Sequence, residues 1–261
     1  MRLFTDMMGR TMNVPDNPQR IVSVVPSQTE LLYDLGLTDE VIGITKFCVH
    51  PEEWFCSKTR IGGTKKLRIE EILKLNPDLV IANKEENEQE QIEELAKHCP
   101  VWISDIQNIP QALQMIQVLG QLTNREVKAN EMVEEIVQGF TKLTKANSQK
   151  RVAYMIWYNP WMSVGADTFI SNMIQTIGWK NVLQGKSRYP EVTLEELKTY
   201  EPELVMLSSE PFPFKAQHIE EVKQALPNTE VMLVDGEMFS WYGSRMVKAV
   251  NYMDGLIQRI P

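Results

Sequence analysis

Three histidines, three cysteines and two dense aromatic stretches carry most of the chemistry this chain could perform. His50 stands in Lys46-Phe-Cys-Val-His50-Pro51-Glu-Glu-Trp54, where Cys48-x-His50 supplies two metal donors. A zinc site needs three or four protein ligands, so packing of an irregular loop competes with a ligand role for His50. The other histidines are His98 and His218, and the sequence contains no H-E-x-x-H, G-x-S-x-G, G-x-x-x-x-G-K-[ST] or G-x-G-x-x-G. Hydrolase, zinc-protease, nucleotide-triphosphatase and dinucleotide readings therefore lose their usual support. No catalytic residue, metal-ligand set or cofactor is assigned, and a binding protein needs none. Cys48, Cys56 and Cys99 are an odd number at spacings that suggest no disulfide framework, with a Cys48 to Cys56 bridge left open.

The aromatic residues point more directly to a ligand. Trp157-Tyr-Asn-Pro-Trp161-Met-Ser-Val-Gly165 places three large rings just after a predicted strand. Ser187-Arg188-Tyr189-Pro190 adds a fourth, and Gly236-Glu-Met-Phe239-Ser-Trp241-Tyr242-Gly243-Ser-Arg245 combines rings with an acid and an arginine. Rings gathered in turns, off any periodic face, suit stacking on a flat ligand, with hinge or core packing as the alternative. The candidate wall is Trp157, Tyr158, Trp161, Tyr189, Glu237, Phe239, Trp241, Tyr242 and Arg245. From the first half it takes Pro26 and Ser27, whose backbone donors could also serve only as a helix cap, together with His50 and Asn83.

These residues sit at the ends of recognisable elements. Arg20-Ile-Val-Ser-Val-Val25 reads as a buried strand, with Ser27 as N-cap three residues ahead of Glu30 and a helix through Leu31, Leu32 and Leu35 to Gly36. Val41-Ile-Gly-Ile-Thr45 is the next strand, and 46–66 is irregular. Leu67-Arg-Ile-Glu-Glu-Ile-Leu-Lys-Leu-Asn-Pro77-Asp-Leu-Val-Ile-Ala82 then gives a short amphipathic helix, a proline stop and a strand. The pattern returns 125 positions later as Val192-Thr-Leu-Glu-Glu-Leu-Lys-Thr-Tyr-Glu-Pro202-Glu-Leu-Val-Met-Leu207. One recurrence at about half the length implies two similar α/β lobes with parallel sheets. The second opens with the strand Arg151–Trp157 and a helix over Phe169–Ile177 that closes at Gly178.

Between them, Asn124 caps a predicted helix running from Arg125 to Asn147, with Val127, Met132, Val133, Ile136, Phe140 and Leu143 as its apolar stripe. About 22 residues span roughly 33 Å, which makes the connection a rigid helix. The expected organisation is a lobe over 1–124, the helix over 125–147 and a lobe over 148–261. Composition agrees: 261 residues, 43% hydrophobic and 24% charged, describe an ordinary globular chain. The net charge of −8 and the absence of a basic stripe exclude nucleic acid as an expected partner. The longest apolar runs, such as Asp78-Leu-Val-Ile-Ala82, are too short for a membrane span. Met1 to Arg10 carries no secretory signal, so the protein is expected either to stay inside the cell or to have lost its signal.

Taken together, the chain resembles the helical-backbone metal receptors, the class III substrate-binding proteins of ABC importers for vitamin B12, iron siderophores and haem. The resemblance rests on Arg20 to Gly36, on Ile69-Glu-Glu-Ile-Leu-Lys-Leu-Asn-Pro-Asp-Leu-Val-Ile-Ala82 and on Asp235-Gly-Glu-Met-Phe-Ser-Trp-Tyr-Gly-Ser-Arg245. Within the group it is closest to the vitamin B12-binding members. It implies two Rossmann-like α/β lobes joined by one long interlobe helix and a cobalamin-like, siderophore or haem chelate as ligand. It also implies a monomer delivering that chelate to an ABC permease, at a periplasmic or cell-surface location. His50, before Pro51, and Glu237, Phe239 and Trp241 match ligand-proximal positions. Glu70 and Glu195, the repeat-related acids, match the carboxylates that dock on importer arginines. Thr64 and Asn83 depart from aromatic positions of the B12 group, so the implied ligand class is the wider one. The alternatives are an intracellular chelate sensor or carrier, and a chelatase-like enzyme using His50 and Glu237.

Overall fold

The computed structural model describes residues 1–143 and 149–260. They form two compact units. The first comprises Met1–Asp105, Pro110–Glu135 and Tyr242–Arg245, and the second Ile106–Ile109, Ile136–Trp241 and Met246–Pro261.

In the first unit, five parallel strands lie in the order Thr59–Arg60, Val41–Ile44, Ile21–Ser23, Leu79–Asn83, Val101–Ser104. The central strands are buried on both faces, as expected of an apolar, β-branched run in a parallel sheet. The helix Pro26–Asp34 follows the first of them at once. Ser27 is not its cap: Val25 is the N-cap residue and makes no side-chain cap bond. Pro26, with its fixed φ and no N–H to satisfy, starts the helix and draws Ser27 into the first turn. The Thr29 hydroxyl donates back to the Val25 carbonyl at 2.9 Å, which also accepts the Thr29 N–H, and lies 2.7 Å from Ser23 Oγ. Gly36, at φ 87°, ends the helix as read from the sequence.

In the second unit, Arg151–Trp157 pairs in parallel with Leu204–Ser208 and Lys180–Asn181, and Leu204–Ser208 with Glu230–Val234. A short return strand, Met162–Ser163, is antiparallel to Arg151–Trp157, so this sheet is not wholly parallel.

The repeat is reproduced element by element. Helices Ile69–Lys74 and Leu194–Thr199 lead into strands Leu79–Asn83 and Leu204–Ser208 at the same offset. Asn76 and Glu201, each just before the proline, take left-handed φ values of 47° and 46°. The proline ring excludes the helical region for its predecessor and so stops both helices at the same place. Asp78 then accepts the backbone N–H of Gln19 at 2.8 Å and Arg20 at 3.0 Å, while Glu203 accepts that of Arg151 at 2.9 Å. One local sequence thus sets the strand register in both sheets.

The connecting segment contains two helices, Ile109–Leu122 and Glu126–Lys142. The second crosses the division between the units after Glu135. The expected end of this helix at Asn147 lies outside the described residues. Asn124 does not cap it: at φ 55° it terminates the preceding helix, and its amide donates to the Asp16 carbonyl at 2.8 Å. Val127 is 75% exposed and leaves the expected stripe, whereas Ala129 is buried in its place. The cause is the tight crossing at Gly120, where any Cβ would collide with that of Ala129. The helix must turn Ala129 inward, which swings Val127 out.

Candidate functional site

In a parallel sheet every strand delivers its following loop to the same edge, and ligands collect there. In the first unit that edge carries Pro26, the 45–51 loop and the turn after Asn83. Ser27 is buried and Pro26 half-buried. Asn83 is fully committed to its own turn. Its amide donates to the Ser104 carbonyl at 3.2 Å and Ser104 Oγ at 3.0 Å, and its Oδ1 accepts the N–H of Glu85 and Glu86 at 2.8 and 3.0 Å. A side chain with both ends so occupied fixes the turn that follows its strand. Thr64 is buried as well.

His50 is half-buried in the 45–51 loop. Cys48 does not accompany it as a donor, because its buried Sγ lies 3.1 Å from the hydroxyls of both Thr29 and Thr45. Burial pushes the Cys48 thiol pKa up, which suits a neutral packed thiol. Cys48 and Cys56 are both free, so the open question of a bridge is answered by two thiols. Among the described residues no cluster of three or more His, Cys, Asp or Glu side chains could hold a metal ion. Phe47, in the same loop, is 51% exposed and was not singled out in the sequence reading.

In the second unit, Trp157 ends its strand 41% exposed, with its ring edge-on to Phe212 at 5.9 Å. Its neighbours differ. Tyr158 meets Trp161 at 5.0 Å and His218 at 4.9 Å, and Trp161 stacks on Phe214 at 5.5 Å. Tyr158 and Trp161 thus each pack against other rings of this unit, the arrangement that the packing alternative describes. Phe239 is a core residue, buried against Tyr154 and Tyr252. Tyr189 is half-buried beneath the Arg188 guanidinium, 5.8 Å from its ring centre.

The last loop divides between the units. Trp241 is nearly buried, and its indole N–H donates to Glu210 Oε1 at 2.8 Å. Tyr242 and Arg245 belong to the first unit, where both are buried. Arg245 is engaged by Glu30 in a two-pronged ion pair, 2.8 Å on each prong. Gly243 makes this docking possible: at φ 110°, a Cβ there would come within 3.3 Å of Leu31 on the first helix.

Glu237 keeps a place at a depression. Together with Ser209, Glu210, Leu233, Val234 and Asp235 it lines a cavity of about 600 Å³ beside the ends of Leu204–Ser208 and Glu230–Val234. Burial pushes the Glu210 pKa up, the charges of Glu237 and Asp235 push the same way, and hydrogen bonds from Ser240 and Trp241 oppose them. A carboxyl raised on folding contributes stability that is present below its unfolded pKa and is lost as pH rises through the folded value. Glu210→Gln retains an oxygen for both donors and carries no charge. Its stability relative to the parent is therefore expected to grow in urea unfolding as pH rises above the ordinary carboxylate range, and a constant difference would contradict this.

Glu210, Phe212, Phe214 and His218 escaped the sequence reading. The rule of inspecting whatever follows each strand, applied after Leu204–Ser208, leads directly to Ser209-Glu-Pro-Phe-Pro-Phe214. The repeat-related acids Glu70 and Glu195 are exposed in the first turns of their helices. Neither makes an ion pair among the described residues.

Two α/β units built on one repeated motif, each presenting loops at the carboxyl edge of its sheet, define a binding-protein architecture. The chain belongs to the periplasmic binding protein family, which it matches over residues 21–231. It is 25% identical over 262 aligned positions to an uncharacterized ABC transporter substrate-binding lipoprotein of Bacillus subtilis, covering 94% of this chain and 82% of that protein. To a vitamin B12-binding protein of Yersinia pestis it is 27% identical over 195 positions, 73% of this chain and 69% of that one. Among solved structures, a periplasmic haem-binding protein of Vibrio cholerae shares the fold, with a TM-score of 0.79 at 20% identity over 93% of this chain and 99% of that chain. No helix among the described residues is long and apolar enough to cross a membrane.

Proposed function

We propose that this chain is the substrate-binding component of an ABC importer, working in the periplasm or at the cell surface, and that it carries a metal chelate of cobalamin, siderophore or haem type without transforming it. The observation that carries the reading is that each unit presents a solvent-exposed aromatic ring at the carboxyl edge of its sheet, Phe47 in the loop after Val41–Ile44 and Trp157 at the end of Arg151–Trp157. Exposed rings at strand ends are costly in water and suit an apolar or flat ligand. The names of the relatives support the importer. Glu70 and Glu195 support docking: two exposed carboxylates at the same helical position in each unit give a permease with basic residues two matching points of attachment.

Visible-absorption titration with cyanocobalamin, haem and ferric siderophores tests the proposal. One class is expected to saturate at one chelate per chain, and Trp157→Ala, at an exposed position, to weaken it by about tenfold with the fold intact. Saturable binding that is indifferent to this change would remove Trp157 from the site. No saturation by any chelate would remove the proposed function.

A further inference from the structure

The surroundings of Phe47 speak to the charge of the ligand. The 45–51 loop rests on a small hairpin in which Gly62–Gly63 pairs antiparallel with Lys66–Leu67, and the Lys46 N–H donates to the Gly62 carbonyl at 2.8 Å. Gly63 is the floor: a Cβ there would lie 3.1 Å from Phe47 Cε2 and 3.4 Å from Lys46 Cε. The Phe47 ring is therefore seated on backbone while its other side meets solvent. The Lys46 ammonium lies 4.9 Å from the ring centre. Lys66 is the cross-strand partner of Gly63. Directly opposed residues of an antiparallel pair project from the same face, so Lys66 emerges on the side where Phe47 and Lys46 sit.

Both lysines are exposed, and neither forms an ion pair among the described residues. Their neighbour Lys65 differs, being held by Glu88 at 3.4 Å. In a chain with net charge −8, an aromatic surface beside two ammonium groups that no carboxylate pairs among the described residues is a local reversal of the prevailing field. Resting on the proposed chelate-binding role, we infer that Lys46, Phe47 and Lys66 form a platform that selects anionic chelates, those bearing carboxylates or phenolates, over neutral ones. The ring takes the apolar face of the chelate, and the two ammonium groups take its peripheral oxygens through charge-assisted hydrogen bonds.

The test compares probes matched in shape and different in charge: a ferric tris-catecholate against a neutral ferric tris-hydroxamate, and haemin against its dimethyl ester. Fluorescence quenching would measure each against the parent, the Lys46→Gln/Lys66→Gln double variant and Phe47→Ala, with circular dichroism to verify folding. The parent is expected to prefer the anionic member of a pair by about tenfold. The double lysine variant should lose that preference through weaker binding of the anion alone, and Phe47→Ala should weaken both members. Equal affinities in the parent, a preference that survives the lysine substitutions, or binding of cyanocobalamin alone would overturn the platform and leave the chelate-binding role standing. Failure of every probe, cyanocobalamin included, would overturn that role and the platform with it.

Discussion

Arg245→Ala is expected to cost about 3–5 kcal/mol of stability, because it takes away the cationic half of a buried ion pair with Glu30. The side chains of Glu30 and Arg245 are only 7% and 8% exposed, and each prong of the pair is 2.8 Å long. An ion pair at such burial gains little net energy when complete, since desolvation offsets most of the attraction, but losing one partner leaves the whole desolvation penalty. The matching prediction is that Glu30→Leu combined with Arg245→Met recovers most of the loss. The consequence is local: without the pair, the 242–245 segment loses its anchor on the helix Pro26–Asp34, where Gly243 now lies against Leu31. Urea unfolding of Arg245→Ala and of the double variant measures the loss and its recovery. A single variant as stable as the parent but defective in ligand binding would put Arg245 on the ligand wall.

Phe239→Ala is expected to have an effect of similar size, about 3–5 kcal/mol, through the cavity left when a fully enclosed ring is removed. Phe239 lies 5.1 Å from the Tyr154 ring and 6.2 Å from that of Tyr252. Tyr154 cannot readily move to fill the space, because its buried hydroxyl donates to Ser208 Oγ at 3.1 Å on the neighbouring strand. Burial also drives the Tyr154 phenol pKa far up, so it stays a neutral donor. Phe239→Leu, which keeps most of the volume, should cost much less and leave ligand affinity intact. An alanine variant with the unfolding midpoint of the parent and a weakened ligand would make the ring part of a binding surface.

Both expectations concern residues that the sequence reading puts on a candidate ligand wall and whose partners in the fold it did not foresee, and the reason is the range of the interactions. Elements held by short-range rules were legible. The prolines at 77 and 202 stop two helices at equivalent residues, and the β-branched runs at 21–23 and 79–83 form central strands. The side chain that Arg245 meets is 215 residues away, and Phe212 and Phe214, which cover Tyr158 and Trp161, lie some fifty residues downstream. A cluster of rings in a turn looks the same in sequence whether it awaits a ligand or another segment of chain. The 45–54 stretch makes the point within one loop: Trp54 is buried against Tyr33, whereas Phe47 stands on Gly63 and faces solvent. Capping failed for a local reason, since a proline at the first helical position outweighed a well-placed serine.

Native mass spectrometry of the chain mixed with equimolar cyanocobalamin, haem and ferric siderophores tests most directly whether this is a carrier of metal chelates. The account predicts one dominant complex, a single chain with a single chelate, that releases the chelate with its mass unchanged and its metal in place. A chain that stays bare at every concentration, or that returns a demetallated or otherwise altered molecule, would contradict it.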